Sequence, residues 1–180
     1  EGGAVCFNSS ENGLREKLFG IKNFGIWDEE LIKDVGANAK MNEFQAAMGL
    51  CNLRHIDREL AKRKAVVEHY NERLSGVNGL KISAPQKDVK PNYAYYPVIF
   101  EPEEFGKSRD EIYELLKVNE IYARKYFYPL TNTFECYKGM FDMGDTPVAL
   151  DLSKKVLTLP LYADLRIDQV DRICDIILGR

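Results

Sequence analysis

The residues whose types and spacing could do chemistry fall in two stretches. The first is GANAKMNEFQAAMGL, residues 36–50, which delivers the amide of Asn38 and the ammonium of Lys40 just before a helix start. Asn42 and Gln45 have the spacing of a capping box, in which the asparagine accepts from the amide three residues on and the glutamine reaches back. A helix start attracts anions, because its first amides lack intrahelical partners and carry the positive end of the dipole. Recognition of a phosphate or carboxylate is one reading; a turn asparagine beside a solvated lysine is the other. The second stretch is IYARKYFYP, residues 121–129. Strand alternation would set Tyr122, Arg124, Tyr126 and Tyr128 on one face. Planar guanidinium donors among phenol hydroxyls suit a pyrophosphate or a sugar. A half-buried strand with a snorkelling arginine explains the same pattern.

Other chemistries find no footing in the sequence. The two histidines, His55 and His69, lie on one expected helix but fourteen residues apart, so they do not make the i, i+4 pair of a helical metal site. No G-x-S-x-G, P-loop or G-x-G-x-x-G run occurs, which leaves no motif for a hydrolase or a dehydrogenase. Cys6, Cys51, Cys136 and Cys174 fit neither a zinc site nor a compact disulfide framework. Free thiols in a reducing cytoplasm are the expectation.

The elements that must position these residues can be read in outline. Ala4–Phe7, between Gly2-Gly3 and the Asn8-Ser9-Ser10 turn, reads as a buried strand. Leu14, Leu18, Phe19 and Ile21 recur at helical spacing, and residues 26–39 show no clear period and read as a loop. From Asn42 a helix should run to Ser75, roughly 50 Å at about 1.5 Å per residue. Phe44, Met48, Cys51, Ile56, Leu60, Val67, Tyr70 and Leu74 form its buried stripe. Strands are expected at Leu80–Ile82, Tyr93–Phe100 and Ile121–Tyr128, the second at an edge or bulged because Pro97 cannot donate to a ladder. Ser108 and Glu111 make a second capping box. Residues 131–146 should be irregular, Leu150–Val156 a short helix, and Val170, Ile173 and Ile177 the stripe of a last helix.

With 25 basic and 28 acidic residues, the net charge of −3 argues against a nucleic-acid groove or an anionic membrane as partner. No apolar run reaches the roughly 18 residues of a membrane span. The 180 residues suffice for one domain or for a domain and part of another. Because Glu1 is followed at once by a glycine pair and an apolar run, the chain is expected to begin inside a fold.

Four blocks, in order, carry a resemblance to a known family. Glu1-Gly2-Gly3-Ala4-Val5 resembles the stretch just after the cofactor-bearing lysine of the DegT/DnrJ/StrS aminotransferases. Residues 36–50 resemble that family's G-x-N-x-[K/R]-M segment and following helix, residues 123–129 a strand of members acting on keto-deoxy sugar nucleotides, and residues 156–161 with the last helix its usual ending. The resemblance implies pyridoxal 5'-phosphate as cofactor and an α/β fold of the pyridoxal-phosphate-dependent transferase fold type I. Residues 1–41 would close the large domain and supply an active-site loop, 42–75 would be a linking helix, and 76–180 the small C-terminal α/β domain. The lysine would lie a few residues before Glu1, so no catalytic residue is assigned within the chain. By the same resemblance Asn38 reaches the cofactor phosphate of a neighbouring subunit, which implies a homodimer with shared active sites. Lys40, arginine in many members, meets acidic groups of the substrate or amino donor without the bidentate fork of arginine. Arg124 and Tyr128 line the sugar-nucleotide side. The activity implied is cytoplasmic transamination of a keto-deoxy sugar nucleotide, dTDP-linked and at carbon four or three, from a donor such as glutamate, for surface polysaccharide or other deoxyamino sugars. A dehydratase of the same family, with histidine for the lysine, and a non-catalytic sugar-nucleotide-binding domain are the alternatives.

Overall fold

Residues 2–8, 13–84 and 86–180 are described in a computed structural model, and the chain divides into two units, Glu1–Ile56 and Asp57–Arg180. Glu1 of the opening block and the expected turn at Ser9-Ser10 lie outside the described residues.

In the first unit the helical spacing is realised as α1 (Leu14–Ile21). The expected loop after it holds a small antiparallel hairpin, β1 (Ile26–Asp28) with β2 (Leu31–Ile32). Strands of three and two residues are too short to show a period, which is why the sequence reading missed them. Beyond the hairpin the chain returns to the end of α1. Asn23 and Asn38 form an antiparallel bridge, with Phe24 N donating to Ala37 O at 3.1 Å and Ala39 N to Lys22 O at 2.8 Å. Two glycines permit this crossing. A Cβ on Gly25 would stand 1.7 Å from Asp34 O, and one on Gly36 would stand 2.4 Å from both Gly25 N and Ile21 O.

The expected buried strand at Ala4–Phe7 is neither a strand nor buried; Val5 is 70% exposed. A strand needs a neighbour with free backbone groups, and none of the described residues pairs with this one. Among the described residues of the first unit, only Gly20 and Gly25 are buried.

Helix α2 (Glu43–Leu74) begins in the first unit and ends in the second. Of the expected stripe only Tyr70 and Leu74, toward its end, are buried, joined by Val66, which lies outside it; Val67 is half-buried, Phe44 is 89% exposed and Met48 62%. Apolar periodicity marks a face able to be covered, and the described residues supply a core only to the last turns.

The second unit is built on an antiparallel sheet of β3 (Leu80–Ile82), β4 (Tyr96–Phe100) and β5 (Val156–Leu159), in that order. Around it lie α3 (Pro102–Phe105), α4 (Arg109–Val118), α5 (Pro147–Lys155) and α6 (Ile167–Leu178), with short 3-10 turns between residues 131 and 145. Helix α4 starts with the full Ser108–Glu111 capping box. The strand expected from Tyr93 begins only at Tyr96, the helix expected from Leu150 starts at Pro147, and β5 follows it without a loop.

Pro97 lies on the central strand, not at an edge. Its partner Thr158 gives both its backbone groups to Arg124, Arg124 N to Thr158 O at 2.9 Å and Thr158 N to Arg124 O at 2.8 Å. Pro97 and Thr158 are therefore a non-hydrogen-bonded pair, and the proline nitrogen faces β3, whose ladder stops at the Ile82–Val98 pair. The missing donor falls just beyond the last pair of that ladder.

Tyr96, Val98 and Phe100 alternate inward from β4 onto Leu157 and Leu159, Ile112 and Leu116, and the stripe Val170, Ile173, Cys174 and Ile177. Tyr70 stacks on Tyr96 at 4.6 Å, and each hydroxyl finds an acceptor, Pro160 O at 3.1 Å and Asn71 Oδ1 at 2.8 Å. Burial pushes the Cys174 thiol up to about 12. His69 and Arg73 of α2 grip Asp171 of α6, His69 Nε2 at 2.8 Å, and Arg73 also reaches Asp175 at 2.5 Å.

Candidate functional site

The first stretch of interest is held on the rim of an open cleft. The capping box at the start of α2 forms as the spacing predicts, Asn42 N to Gln45 Oε1 and Gln45 N to Asn42 Oδ1 both at 2.9 Å. Together with the Asn23–Asn38 bridge it fixes both ends of residues 38–42. Asn38 and Lys40 line one cleft of about 390 Å³ with Gly2, Gly3, Ala39, Met41 and Gln45. Two blocks more than thirty residues apart in sequence thus meet at one opening. Asn38 is exposed, and its side chain makes no hydrogen bond to the described residues.

Lys40 is exposed but not loose. Its Nζ donates to Asn23 Oδ1 at 2.8 Å and sits 4.6 Å from the centre of the Phe24 ring. An ammonium over an aromatic face is held by the ring's negative quadrupole. Of its three N–H groups one goes to Asn23, leaving two for other acceptors. The cleft therefore presents neutral amide donors beside a positioned point charge, a set suited to oxyanions.

The second stretch departs from its expected form. Of residues 121–128 only Arg124 pairs, through its single bridge to Thr158; the rest is not strand. Tyr126 N turns back onto Arg124 O at 3.1 Å, which bends the chain off the edge of β5. Arg124 Nη1 donates to the Tyr126 hydroxyl, and its guanidinium lies 5.5 Å from the Tyr126 ring centre. Tyr128 does not join them. Its ring lies 5.0 Å from the guanidinium of Arg109, a residue 2% exposed. Tyr122 goes elsewhere again, lining a separate cleft with Tyr162, Gln169 and Arg172. The expected four-residue face is resolved into three directions because the backbone is not extended.

The sequence reading missed Asn23 and Phe24 beside Lys40, and Arg109 beneath Tyr128. Arg109 carried a signal: a cation in the first turn of a helix opposes the dipole, so something else must hold it there. Its Nη1 donates to Val156 O at 3.1 Å, and its Nε is 2.8 Å from Asp110 Oδ1 at an angle that makes an ion pair without a hydrogen bond. Lys125 Nζ shares the same carboxylate oxygen at 2.5 Å. Lys125, and after it Arg109, holds the Asp110 carboxyl below the usual carboxylate range.

His69 belongs to the α2–α6 clamp, and His55 is exposed. Among the described residues no group of His, Cys, Asp or Glu side chains could hold a metal ion, all four cysteines are free, and no helix is long and apolar enough to cross a membrane.

The fold is that of the pyridoxal-phosphate-dependent transferases of fold type I. The structure of DesV from S. venezuelae in complex with a ketimine intermediate superposes with a TM-score of 0.80 at 25% identity, covering 94% of this chain and 44% of that one. DesI in the presence of its TDP-sugar product does so with a TM-score of 0.81 at 27% identity, over 90% of this chain and 41% of that one. The sequence profile of the DegT/DnrJ/EryC1/StrS aminotransferase family matches residues 1–178, and the chain belongs to that family. A dTDP-4-amino-4,6-dideoxy-D-glucose transaminase of Escherichia coli is 39% identical over 182 residues, covering 100% of this chain and 48% of that protein. The chain spans about half the length of the curated relatives it matches.

Proposed function

We propose that the whole protein is a pyridoxal-phosphate-dependent aminotransferase that moves an amino group from a donor such as glutamate onto a keto-deoxy sugar nucleotide. The substrate in this reading is dTDP-linked and aminated at carbon four or three, for a surface polysaccharide or another deoxyamino sugar. Family membership supports the reaction class, and the 39% identity to a dTDP-sugar transaminase supports the substrate class. The observation in this chain that carries the proposal is the cleft where Asn38 and Lys40 stand beside the glycine pair of the opening block.

The residues present fit the cofactor's phosphate: an exposed amide without a partner among the described residues, next to an ammonium with N–H groups to spare. Bound there, pyridoxal phosphate would serve as the electron sink that accepts an amino group and passes it on. Asn38 would donate to a phosphate oxygen, across a subunit boundary in a homodimer. Lys40 would face an acidic group of the donor or substrate. Arg124, held by Thr158 and Tyr126, would present planar donors to the sugar nucleotide, and Tyr128, turned onto Arg109, would contact that ligand from a separate direction. The lysine that carries the cofactor is assigned ahead of Glu1.

Residues 1–41 are assigned to the end of the large domain, 42–75 to a linking helix and 76–180 to the small domain. The many exposed apolar side chains of the first unit and of early α2, Val35, Phe44 and Met48 among them, support a further body against them. A cytoplasmic location goes with this reading. The test is to purify the whole protein, look for the absorbance of bound cofactor, and follow nitrogen transfer from labelled glutamate to a dTDP-4-keto-6-deoxy sugar by mass spectrometry. Labelled amino sugar is expected. A colourless protein that takes up no cofactor overturns the proposal, and a product one water lighter without nitrogen redirects it to dehydration.

A further inference from the structure

We propose that Asn23 and Phe24 are positioning residues that make Lys40 a single-point grip on an anionic oxygen of a reactant. The inference rests on the reading of the cleft given above and goes beyond it by assigning two residues outside every motif the sequence displayed. The shared ligand chemistry is an oxyanion, from either the carboxylate of the amino donor or the diphosphate of the sugar nucleotide.

Three observations converge. Lys40 Nζ has both a directional acceptor, Asn23 Oδ1 at 2.8 Å, and an aromatic floor, the Phe24 ring at 4.6 Å. A flexible four-carbon stem on an exposed surface would otherwise sample many rotamers, and fixing it before binding lowers the entropy lost on binding. The holders lie on the backbone that carries Asn38, through the Asn23–Asn38 bridge, so the amide and the ammonium are set by one piece of structure. Phe24, finally, has φ 60, the left-handed region that bulky side chains rarely enter, and the chain keeps an exposed aromatic there instead of a glycine. An aromatic retained at a backbone cost where it is half exposed points to use of its face, and Lys40 is what occupies that face.

The arrangement also gives lysine at position 40 a reason. One acceptor and one ring orient a compact ammonium as a point charge with two N–H groups to spare, whereas a guanidinium is made for planar two-point contact. Lys40→Arg should therefore not behave as a neutral exchange.

The experiment uses the whole protein with cofactor and the variants Asn23→Ala, Phe24→Leu, Phe24→Tyr and Lys40→Ala. Asn23→Ala and Phe24→Leu should each raise the KM of one reactant about three- to tenfold, the range of a lost contact worth about half to all of the tenfold unit, with kcat within about twofold. Phe24→Tyr keeps the ring and should stay near wild type. A shift confined to glutamate identifies the donor carboxylate, and a shift confined to the sugar nucleotide identifies the diphosphate. In parallel, calorimetric titration with glutarate, a dicarboxylate that cannot react, and with thymidine diphosphate should show the same variants weakening one probe by the same factor. The inference is overturned if both KM values and both probe affinities stay within about twofold while Lys40→Ala shifts one of them. It is overturned equally if the wild type binds neither probe, or if the variants lower kcat and melting temperature together with KM unchanged. A wild type that binds a probe through Asn23 and Phe24 yet transfers no amino group would sink the aminotransferase reading and leave this one standing.

Discussion

The guanidinium of Arg109 lies 5.0 Å from the centre of the Tyr128 ring and is almost wholly buried, so the tyrosine expected beside Arg124 rests on a different arginine. Arg109 also ties the start of β5 to that of α4 through Val156 O. Arg109→Met should cost about 2 kcal/mol, the scale of a hydrogen bond from a charged group with its packing. Arg109→Lys should recover only part of this, because an ammonium cannot reach the carbonyl, the carboxylate and the ring together. Tyr128→Phe, which keeps the ring, should leave stability unchanged. Urea midpoints at constant slope measure all three; equal midpoints for wild type and Arg109→Met would remove the anchor role.

Asn38→Ala should weaken retention of pyridoxal phosphate about tenfold or more, the worth of one hydrogen bond to a charged acceptor. Its exposed side chain has no hydrogen bond to the described residues to lose, so the melting temperature of the cofactor-free protein should not move. Cofactor absorbance after dialysis, set beside a thermal melt, separates the two effects. Unchanged retention refutes the phosphate assignment.

Gly36→Ala should be far more damaging than its one methyl suggests. The new Cβ would stand 2.4 Å from Gly25 N and from Ile21 O, both backbone atoms that cannot swing away. Overpacking of this kind costs roughly 1–3 kcal/mol or more. Displacement of the 36–40 segment should lower cofactor retention along with stability, whereas Asn38→Ala lowers retention alone. Retention and melting temperature both at wild-type values would show that the crossing is not needed.

The α2–α6 clamp should give the protein an acid-sensitive term. His69, and after it Arg73, holds the Asp171 carboxyl below its ordinary range; Glu72 of α2 and Asp175 of α6 are the other titratable groups facing the cluster. A depressed carboxylate contributes stability that is present above its unfolded value of about 4 and is lost as pH falls through the folded value. Urea midpoints measured from pH 6 down to pH 3 should fall more steeply in wild type than in Asp171→Asn. Parallel curves would mean the clamp contributes nothing to acid stability.

The parts of the fold legible from sequence were those specified by neighbours in the chain. The boxes at Asn42–Gln45 and Ser108–Glu111 formed as their spacing predicts, and the stripe Val170, Ile173, Ile177 is buried as its period requires. Such signals are complete within one helical turn or a few turns. The hairpin at residues 26–32 and strand β5 left no readable pattern because a strand of two to four residues is stabilised by its partner and not by its own alternation. The alternation at residues 121–128 failed for the opposite reason: the pattern was present, but Thr158 offers a partner to Arg124 alone and the chain bends at Tyr126.

By itself the sequence determined which amide, ammonium and guanidinium were the candidates, since residue type and a cap at fixed spacing are local properties. Only the tertiary structure decided their company. Lys40 stands on Phe24, Tyr128 on Arg109, and Asn38 beside Gly2 and Gly3, because those meetings depend on a backbone crossing at Gly25 and Gly36 and on a single strand bridge at Arg124. Contacts between residues distant in the chain follow from how backbones pack and pair, and no spacing along a sequence encodes them.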